Sequence, residues 1–345
     1  RMSDSLFQEG GPHHVRRLGG DQYSMSITLP HDADGRLARE CPSADCSPGY
    51  YKIKPGTGIT GKQVVAYCPY CRHEAAPEDF YTKEQRRYAE EIAIREAHKG
   101  VQDMIQNALG LGASGRRTYG GGLISMELSF KPGSLPHVWR PFEEEVRRDV
   151  VCPHCTLDQT VFGLATWCSD CGKDIFLTHV ATELEVTKVM VGDVGRREEL
   201  LGKRVAAKDL ENCLEDAVSI FEAAIKAVVR RALGVRGDGA ETEEVLRKLG
   251  NAFQNIERTR KEISSLFDCN ILDGSVGERL KGAFEKRHPI THNLGVVDRK
   301  YLERAKAMER EGREVRISGD EVLELIKGVY EAVSSVHEVL LGKSV

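Results

Sequence analysis

Hydrophobic residues in the C-terminal part of the chain recur every three or four positions. One such run covers residues 210–228, and a second covers residues 246–266. A third covers residues 318–340 and opens with Ser318 and Glu321, a spacing typical of a capped helix start. Because residues three and four apart share one face of a helix, these runs predict the core helices of an all-α bundle.

The pattern is different in the first half of the chain. Residues 82–109 again carry apolar residues near helical spacing, which predicts one long helix with a narrow apolar face. Elsewhere, short runs of β-branched and aromatic residues predict strands. The strand-like runs are residues 24–29, 123–130, 160–167 and 174–180.

Two segments of distinct composition separate these patterns. Residues 110–122 are rich in glycine, as in a flexible connector, and residues 192–204 are highly charged. We therefore predict a multidomain protein with β modules followed by an all-α bundle. The predicted domains are residues 1–112 with the long helix, residues 123–191, which are mostly β, and residues 200–345, which are helical.

Charge and hydropathy restrict the classes of partner. The 345-residue chain has a net charge of −4, so it does not attract nucleic acid or an anionic membrane as a whole. Any site for a polyanion must then be local. No apolar run reaches the roughly 18 residues that span a bilayer, and the chain does not start like a secretion signal. We expect a cytoplasmic protein with no membrane partner.

Eight of the ten cysteines fall in tight pairs, while Cys213 and Cys269 stand alone within helical patterns. In a reducing cytosol this arrangement favours metal binding over disulfides, and the two single cysteines are then small core residues. The later pairs, Cys152-Pro-His-Cys155 and Cys168-Ser-Asp-Cys171, flank an apolar strand. Four thiolates from two such turns suit tetrahedral zinc, whereas a redox dithiol needs one Cys-x-x-Cys on a βαβ scaffold that this region does not resemble.

The earlier pairs are Cys41-Pro-Ser-Ala-Asp-Cys46 and Cys68-Pro-Tyr-Cys71, and the first of them must bulge because it has four intervening residues. Since each set already has four sulfur ligands, His73 and His154 are bystanders. We predict zinc ribbons with two structural Zn²⁺ sites and no catalytic metal. The predicted ligands are Cys41, Cys46, Cys68 and Cys71 in one site and Cys152, Cys155, Cys168 and Cys171 in the other. Such ribbons either hold nucleic acid or a protein partner, or serve only as architecture.

Residues 285–293, Glu-Lys-Arg-His-Pro-Ile-Thr-His-Asn, carry the candidate chemistry. Pro289 has no backbone N–H and disfavours helical geometry at His288, so we expect a helix to stop or kink here. Arg287 then lies on the last turn and His292 just beyond it, with both side chains facing one pocket. The alternative is that the histidine caps a helix and the arginine makes a surface ion pair.

This segment resembles the motif of HEPN-family nucleases, in which an arginine is followed, after four to six residues, by a histidine. Arg287-His-Pro-Ile-Thr-His292 fits that motif, with His288 in the polar position and Asn293 directly after the histidine. Residues 294–302 also look like the family's segment into its next helix, and the resemblance covers about residues 200–345. It implies a HEPN-type helical domain with Arg287, His288, His292 and Asn293 in the catalytic site.

The resemblance further implies a metal-independent endoribonuclease. An imidazole takes the proton of a ribose 2′-hydroxyl, and a guanidinium holds the scissile phosphate. Attack by the 2′-oxygen leaves a 2′,3′-cyclic phosphate and a 5′-hydroxyl, and DNA is not cut. Lys286, Arg299 and Lys300 belong to a locally basic stretch and are the predicted substrate-binding residues.

The partners follow from the same resemblance. Family members usually pair two such domains, which implies RNA as substrate and a homodimer with a composite site. Many relatives with one motif and an attached sensing module are toxins or anti-phage effectors, and a protein or nucleic-acid trigger would then act at the ribbons. The alternative hypothesis is a non-catalytic adaptor, whose ribbons bind nucleic acid or protein and whose bundle only dimerises.

Overall fold

The computed structural model of the protein describes residues 6–7, 9–20, 22–111, 115–121, 125–237, 239–305 and 309–342. The chain divides into two compact units. The N-terminal unit consists of Arg1–Ala66 and His73–Val146, and the C-terminal unit consists of Tyr67–Arg72 and Arg147–Val345. Among the described residues, no helix is both long enough and apolar enough to cross a membrane.

One long helix, α1 (Lys83–Ala108), dominates the N-terminal unit and confirms the helix expected over residues 82–109. Its start is fixed by a capping box: the Thr82 hydroxyl accepts the backbone N–H of Gln85 at 3.1 Å, and the Gln85 side chain accepts the backbone N–H of Thr82 at 3.0 Å. The strands before residue 147 are short. They are β1 (Arg16–Gly19), β2 (Gln22–Ser24), β3 (Leu37–Glu40), β4 (Tyr50–Ile53), β5 (Ala66–Tyr67), β6 (Glu74–Ala75), β7 (Arg116–Tyr119) and β8 (Met126–Ser129).

Two expectations for this part of the chain need correction. The strand predicted over residues 24–29 is absent there, because β2 ends at Ser24 and pairs with β1. The glycine-rich residues 110–122 are not only a connector, since β7 lies within them and pairs antiparallel with β8. Residues 112–114 and 122–124 of these predicted segments lie outside the described residues.

The C-terminal unit begins with an antiparallel hairpin and continues as helices, which agrees with the predicted order of β modules and helical region. Its elements are β9 (Arg148–Val151), β10 (Asp158–Val161), α2 (Phe176–Leu201), α3 (Lys203–Arg236), α4 (Gly239–Leu249), α5 (Ile256–Phe267), α6 (Ser275–Asn293), α7 (Arg299–Ala305) and α8 (Gly319–Leu341).

Helix α2 begins where a strand was expected, so the prediction for residues 174–180 is wrong. Phe176, Val180 and Leu184 are buried at intervals of one helical turn, which places them on one face of a helix rather than on alternating faces of a strand. The charged residues 192–201 continue the same helix instead of forming a linker. They belong to the same compact unit as the helices that follow.

Helices α3, α6 and α8 contribute to the core of the C-terminal unit together with α2, α4 and α5. Phe221 and Ile225 of α3, Leu280 of α6, and Val329 and Val333 of α8 are all completely or almost completely buried. Each such side chain contributes about 1.5–3 kcal/mol of transfer free energy. The hydrophobic periodicity of the first and third predicted runs is therefore confirmed as a core pattern.

The second run, residues 246–266, does not form one helix. A 3₁₀ turn, Ala252–Gln254, separates α4 from α5. Gly250 follows α4 with a left-handed φ of 53°, and Asn255 starts α5 by accepting the backbone N–H of Arg258 at 2.9 Å. Because α4 and α5 are separate helices, the polar side chains of the intervening turn point in a direction that one continuous amphipathic helix would not give them.

Candidate functional site

The eight paired cysteines form the two predicted groups. The first group is Cys41, Cys46, Cys68 and Cys71. In each group the four sulfur atoms all lie within 4.8 Å of one another. The second group is Cys152, Cys155, Cys168 and Cys171. This arrangement of sulfur atoms is compatible with two structural zinc sites.

The geometry of the second group fits zinc closely. The Sγ atoms of Cys152 and Cys171 are 3.7 Å apart, and those of Cys155 and Cys168 are 3.4 Å apart. A tetrahedral ion with Zn–S bonds of about 2.3 Å requires sulfur–sulfur separations of about 3.8 Å. The backbone N–H of His154 also points at the Cys152 sulfur, at 3.4 Å, which would stabilise a thiolate. Four protein sulfurs fill a tetrahedral ion, so such sites would be structural.

The turns that hold these cysteines are tight. Thr156 and Gly172 both have a φ of 65°, and their N–H groups donate to the carbonyls of Cys152 and Cys168 at 2.9 and 3.0 Å. At Gly172 a Cβ would lie 2.9 Å from the ring of Tyr67, so lack of space requires glycine there, and the left-handed φ favours it.

The Arg–His segment lies within α6, so the helix does not stop at Pro289, which was one of the two outcomes expected there. Helix α6 continues through Pro289 to Asn293. Proline removes one helical hydrogen bond, but Pro289 is buried and its carbonyl accepts the N–H of Gly295 at 2.8 Å, which closes the end of the helix. His292 is therefore a helical residue rather than one beyond the helix.

This continuity pairs the two histidines. His288 and His292 are four residues apart and share one helix face, with ring centroids 5.1 Å apart. Together with Arg287 they line a cleft of about 620 Å³ in the C-terminal unit. The other residues that line it are Asn251, Gln254, Asn255, Glu257, Arg258, Lys281, Phe284, Glu285, Thr291 and Arg304.

Arg287 is oriented by a partner that the sequence did not indicate. Its Nη1 donates to Oε1 of Gln254 at 3.0 Å, and Nε2 of Gln254 donates to Oε2 of Glu222 at 2.8 Å. The buried Nε of Arg287 has no hydrogen-bond partner among the described residues. The guanidinium is thus held from one side, and because Arg287 lines the cleft, its permanent positive charge can attract an anion there.

The pKa of His288 is lowered from its ordinary value. Burial is the largest cause, and the positive charge of Lys300 adds to it, while the carboxylate of Asp298 opposes it. Oδ2 of Asp298 lies 3.9 Å from Nε2 of His288. The ring of His288 is therefore neutral at neutral pH and able to accept a proton.

Asn293, a predicted catalytic residue, is not among the described residues that line the cleft. Its Nδ2 donates to Oδ2 of Asp298 at 2.6 Å, and Oδ1 of Asp298 accepts the N–H of Tyr301 at 2.7 Å at the start of α7. Asn293 therefore positions the carboxylate that stands next to His288.

None of the three predicted substrate-binding residues is among the described residues that line the cleft. Lys286 pairs with Glu321 at 2.7 Å and borders a different cavity. Arg299 pairs with Glu303 at 3.2 Å and is 82% exposed, and Lys300 is also exposed. The cleft has three further cations, of which Lys281 and Arg304 belong to the same locally basic stretch and Arg258 lies outside it.

Searches for matching family models, curated proteins and solved structures found no significant match to this chain.

Proposed function

We propose that the protein is a metal-independent endoribonuclease whose reaction takes place in the cleft at Arg287, His288 and His292. The observation that supports this most is their convergence: a guanidinium and two imidazoles 5.1 Å apart line the same cleft. Cleavage of RNA by attack of its own 2′-hydroxyl uses such a set of groups: a base, an acid and a cation that binds the phosphate.

The chemistry divides naturally among the three side chains. His288, with its lowered pKa, accepts the proton of the 2′-hydroxyl as the 2′-oxygen attacks phosphorus. The bond from phosphorus to the 5′-oxygen breaks, and a protonated His292 gives that oxygen its proton. Arg287 binds the non-bridging oxygens, where negative charge grows. The products are a 2′,3′-cyclic phosphate and a 5′-hydroxyl.

The charge of the cleft favours a phosphate backbone. Among the described lining residues, Arg258, Lys281, Arg287 and Arg304 outnumber the two carboxylates, Glu257 and Glu285. In a chain with a net charge of −4, this is the local excess of positive charge that a polyanion site needs.

The proposal includes a homodimer, in which the cleft of each protomer faces that of its partner, as the HEPN resemblance implies. Analytical ultracentrifugation over a range of protein concentrations tests this part separately. If the protein is a monomer at the concentration at which it cuts RNA, the composite site is ruled out, but the assignment of the three residues stands.

The test of the activity is cleavage of mixed-sequence RNA by purified protein and by Arg287→Ala, His288→Ala and His292→Ala. We expect a loss of at least about a hundredfold for each variant. Arg279→Ala is the matched control, because Arg279 lies on the same helix, pairs with Glu331 at 2.8 Å and borders a different cavity. If Arg279→Ala loses as much activity as Arg287→Ala, or if no variant differs from the parent, the proposal is wrong. Absence of cleavage favours the non-catalytic adaptor.

A further inference from the structure

A second site stands out in the N-terminal unit. The side chain of Trp139 is 62% exposed, although tryptophan usually buries its large apolar surface. Its neighbours in sequence, Val138 and Arg140, line a separate cavity of about 690 Å³. This surface shares no residue with the cleft on α6.

The cavity carries a positive charge. Arg95, Lys99 and Arg140 line it, and among the described lining residues Glu96 is the one carboxylate. Glu96 pairs with Lys99 at 2.5 Å. Arg95 makes no ion pair with any residue that the structure describes, so its charge is available to a ligand.

The backbone that carries the exposed ring is tied to a neighbouring helix. The backbone N–H of Trp139 donates to Oε2 of Glu91 on α1 at 2.7 Å, and the ring of His137 lies edge-on to the indole at 4.4 Å between centroids. Nη2 of Arg140 donates to the carbonyl of His31 at 2.6 Å. Groups fixed in this way lose little conformational entropy on binding, which increases affinity.

We propose that this surface binds single-stranded nucleic acid, with an unpaired base stacked on Trp139 and the adjoining phosphates held by Arg95 and Arg140. Trp139 is flanked in sequence by two residues that line the cationic cavity, and an exposed aromatic ring near a cationic groove is the combination that binds single strands, because every base offers a flat face and every nucleotide a charge. In a duplex the bases stay stacked on one another, so none is available to stack on the ring of Trp139. The inference does not depend on the proposed nuclease, since it concerns binding by a different unit.

Tryptophan fluorescence provides the readout. The chain has two tryptophans, and the second, Trp167, is covered by the guanidinium groups of Arg72 and Arg231 at 4.7 and 4.9 Å. Titration with a single-stranded 2′-O-methyl oligonucleotide, which a 2′-hydroxyl-dependent nuclease cannot cut, should quench Trp139. The same quenching is expected in Trp167→Phe and in His292→Ala, so a failure of the nuclease proposal leaves this test unaffected.

Two variants distinguish the contribution of base stacking to binding from the contribution of charge. Trp139→Ala should weaken binding of a labelled oligonucleotide roughly ten- to a hundredfold in fluorescence anisotropy. Arg95→Ala should weaken it several-fold and make the salt dependence shallower by about 0.7 in logarithmic slope. Arg86→Ala is the control, since Arg86 also lies on α1 but donates to the carbonyl of Asp79 at 2.9 Å. Unchanged affinity in Trp139→Ala, or equal affinity for duplex and single strand, would overturn the inference.

Discussion

Arg231 of α3 donates a hydrogen bond to Oδ2 of Asp174 at 2.5 Å, and this contact ties the second cysteine group to the helices. Asp174 lies three residues after Cys171, just before α2. His337 of α8 completes the cluster, with its Nε2 3.4 Å from Nη1 of Arg231. The metal-binding turns and the bundle of the C-terminal unit are thereby joined through a charged, largely buried cluster.

Loss of this ion pair should destabilise the C-terminal unit. The side chains of Arg231 and Asp174 are 21% and 14% exposed, so Asp174→Asn should leave a poorly solvated cation and cost about 2–3 kcal/mol in free energy of unfolding. Urea denaturation followed by circular dichroism measures this. Asp193→Asn, which breaks the exposed pair of Asp193 with Arg196, is the control and should change the stability much less, because solvent screens exposed ion pairs. Equal effects of the two substitutions would contradict the account.

The same pair predicts a dependence of stability on pH. Burial opposes ionisation of Asp174, but hydrogen bonds from His337 and Arg231 outweigh it, and the pKa of the carboxyl is lowered. A lowered folded-state pKa contributes stability above the unfolded-state value of about 3.9, and this stability is lost as the pH falls through the folded-state pKa. The difference in unfolding free energy between parent and Asp174→Asn should therefore shrink below about pH 4. A difference that grows on acidification would contradict the assignment.

Gln254 should matter for the proposed reaction without touching the reacting atoms. It positions Arg287 through its Oε1, so Gln254→Ala should lower the rate of RNA cleavage about tenfold. Gln254→Glu should not restore the activity of the parent, because it keeps an acceptor for the guanidinium but places a second carboxylate against Oε2 of Glu222. Asn251→Ala is the control, since Asn251 lines the cleft but contacts Arg258 instead. A larger loss for Asn251→Ala than for Gln254→Ala would argue against this role.

The imidazole of His288 can be followed by NMR titration in the absence of any substrate. The positive charge of Lys300 disfavours its protonated form, so Lys300→Ala should raise the pKa of His288. The carboxylate of Asp298 favours the protonated form, so Asp298→Asn should lower it. Shifts of the same sign in both variants would show that these charges do not act on His288 as described. In cleavage assays the acidic limb of the pH–rate profile should move with the measured pKa.

Metal analysis tests the cysteine groups. The purified protein should contain two zinc ions per chain, and Cys171→Ser should contain one and unfold at a lower temperature. Cys269→Ser is the control, because Cys269 belongs to neither group and should leave both ions in place. Retention of two ions by Cys171→Ser would contradict the tetrahedral assignment.

The features that local sequence determines were predictable. The Cys-x-x-Cys spacing predicts a tight turn, and the capped start at Ser318 appears as expected, with its hydroxyl accepting the N–H of Glu321 at 3.2 Å. Helical periodicity identified the buried faces of α3 and α8 because those helices face the core along their whole length.

The features that depend on tertiary packing were not predictable from the sequence. Pro289 is tolerated inside α6 because its ring is buried among other helices, and that burial cannot be read from the proline itself. Gln254 became a partner of Arg287 only through the break at Gly250, within a run that looked like one helix. The cations of the cleft come from α5, α6 and α7, so their convergence is a property of the fold.

The most direct test of the central claim is end-group analysis of RNA incubated with the protein in EDTA, at a concentration that leaves the bound zinc in place as checked by elemental analysis. The account predicts fragments with 2′,3′-cyclic phosphate and 5′-hydroxyl ends, and none from fully 2′-O-methylated RNA or with Arg287→Ala. Fragments with 3′-hydroxyl and 5′-phosphate ends, cleavage that requires added Mg²⁺, or undiminished cleavage by Arg287→Ala would contradict it.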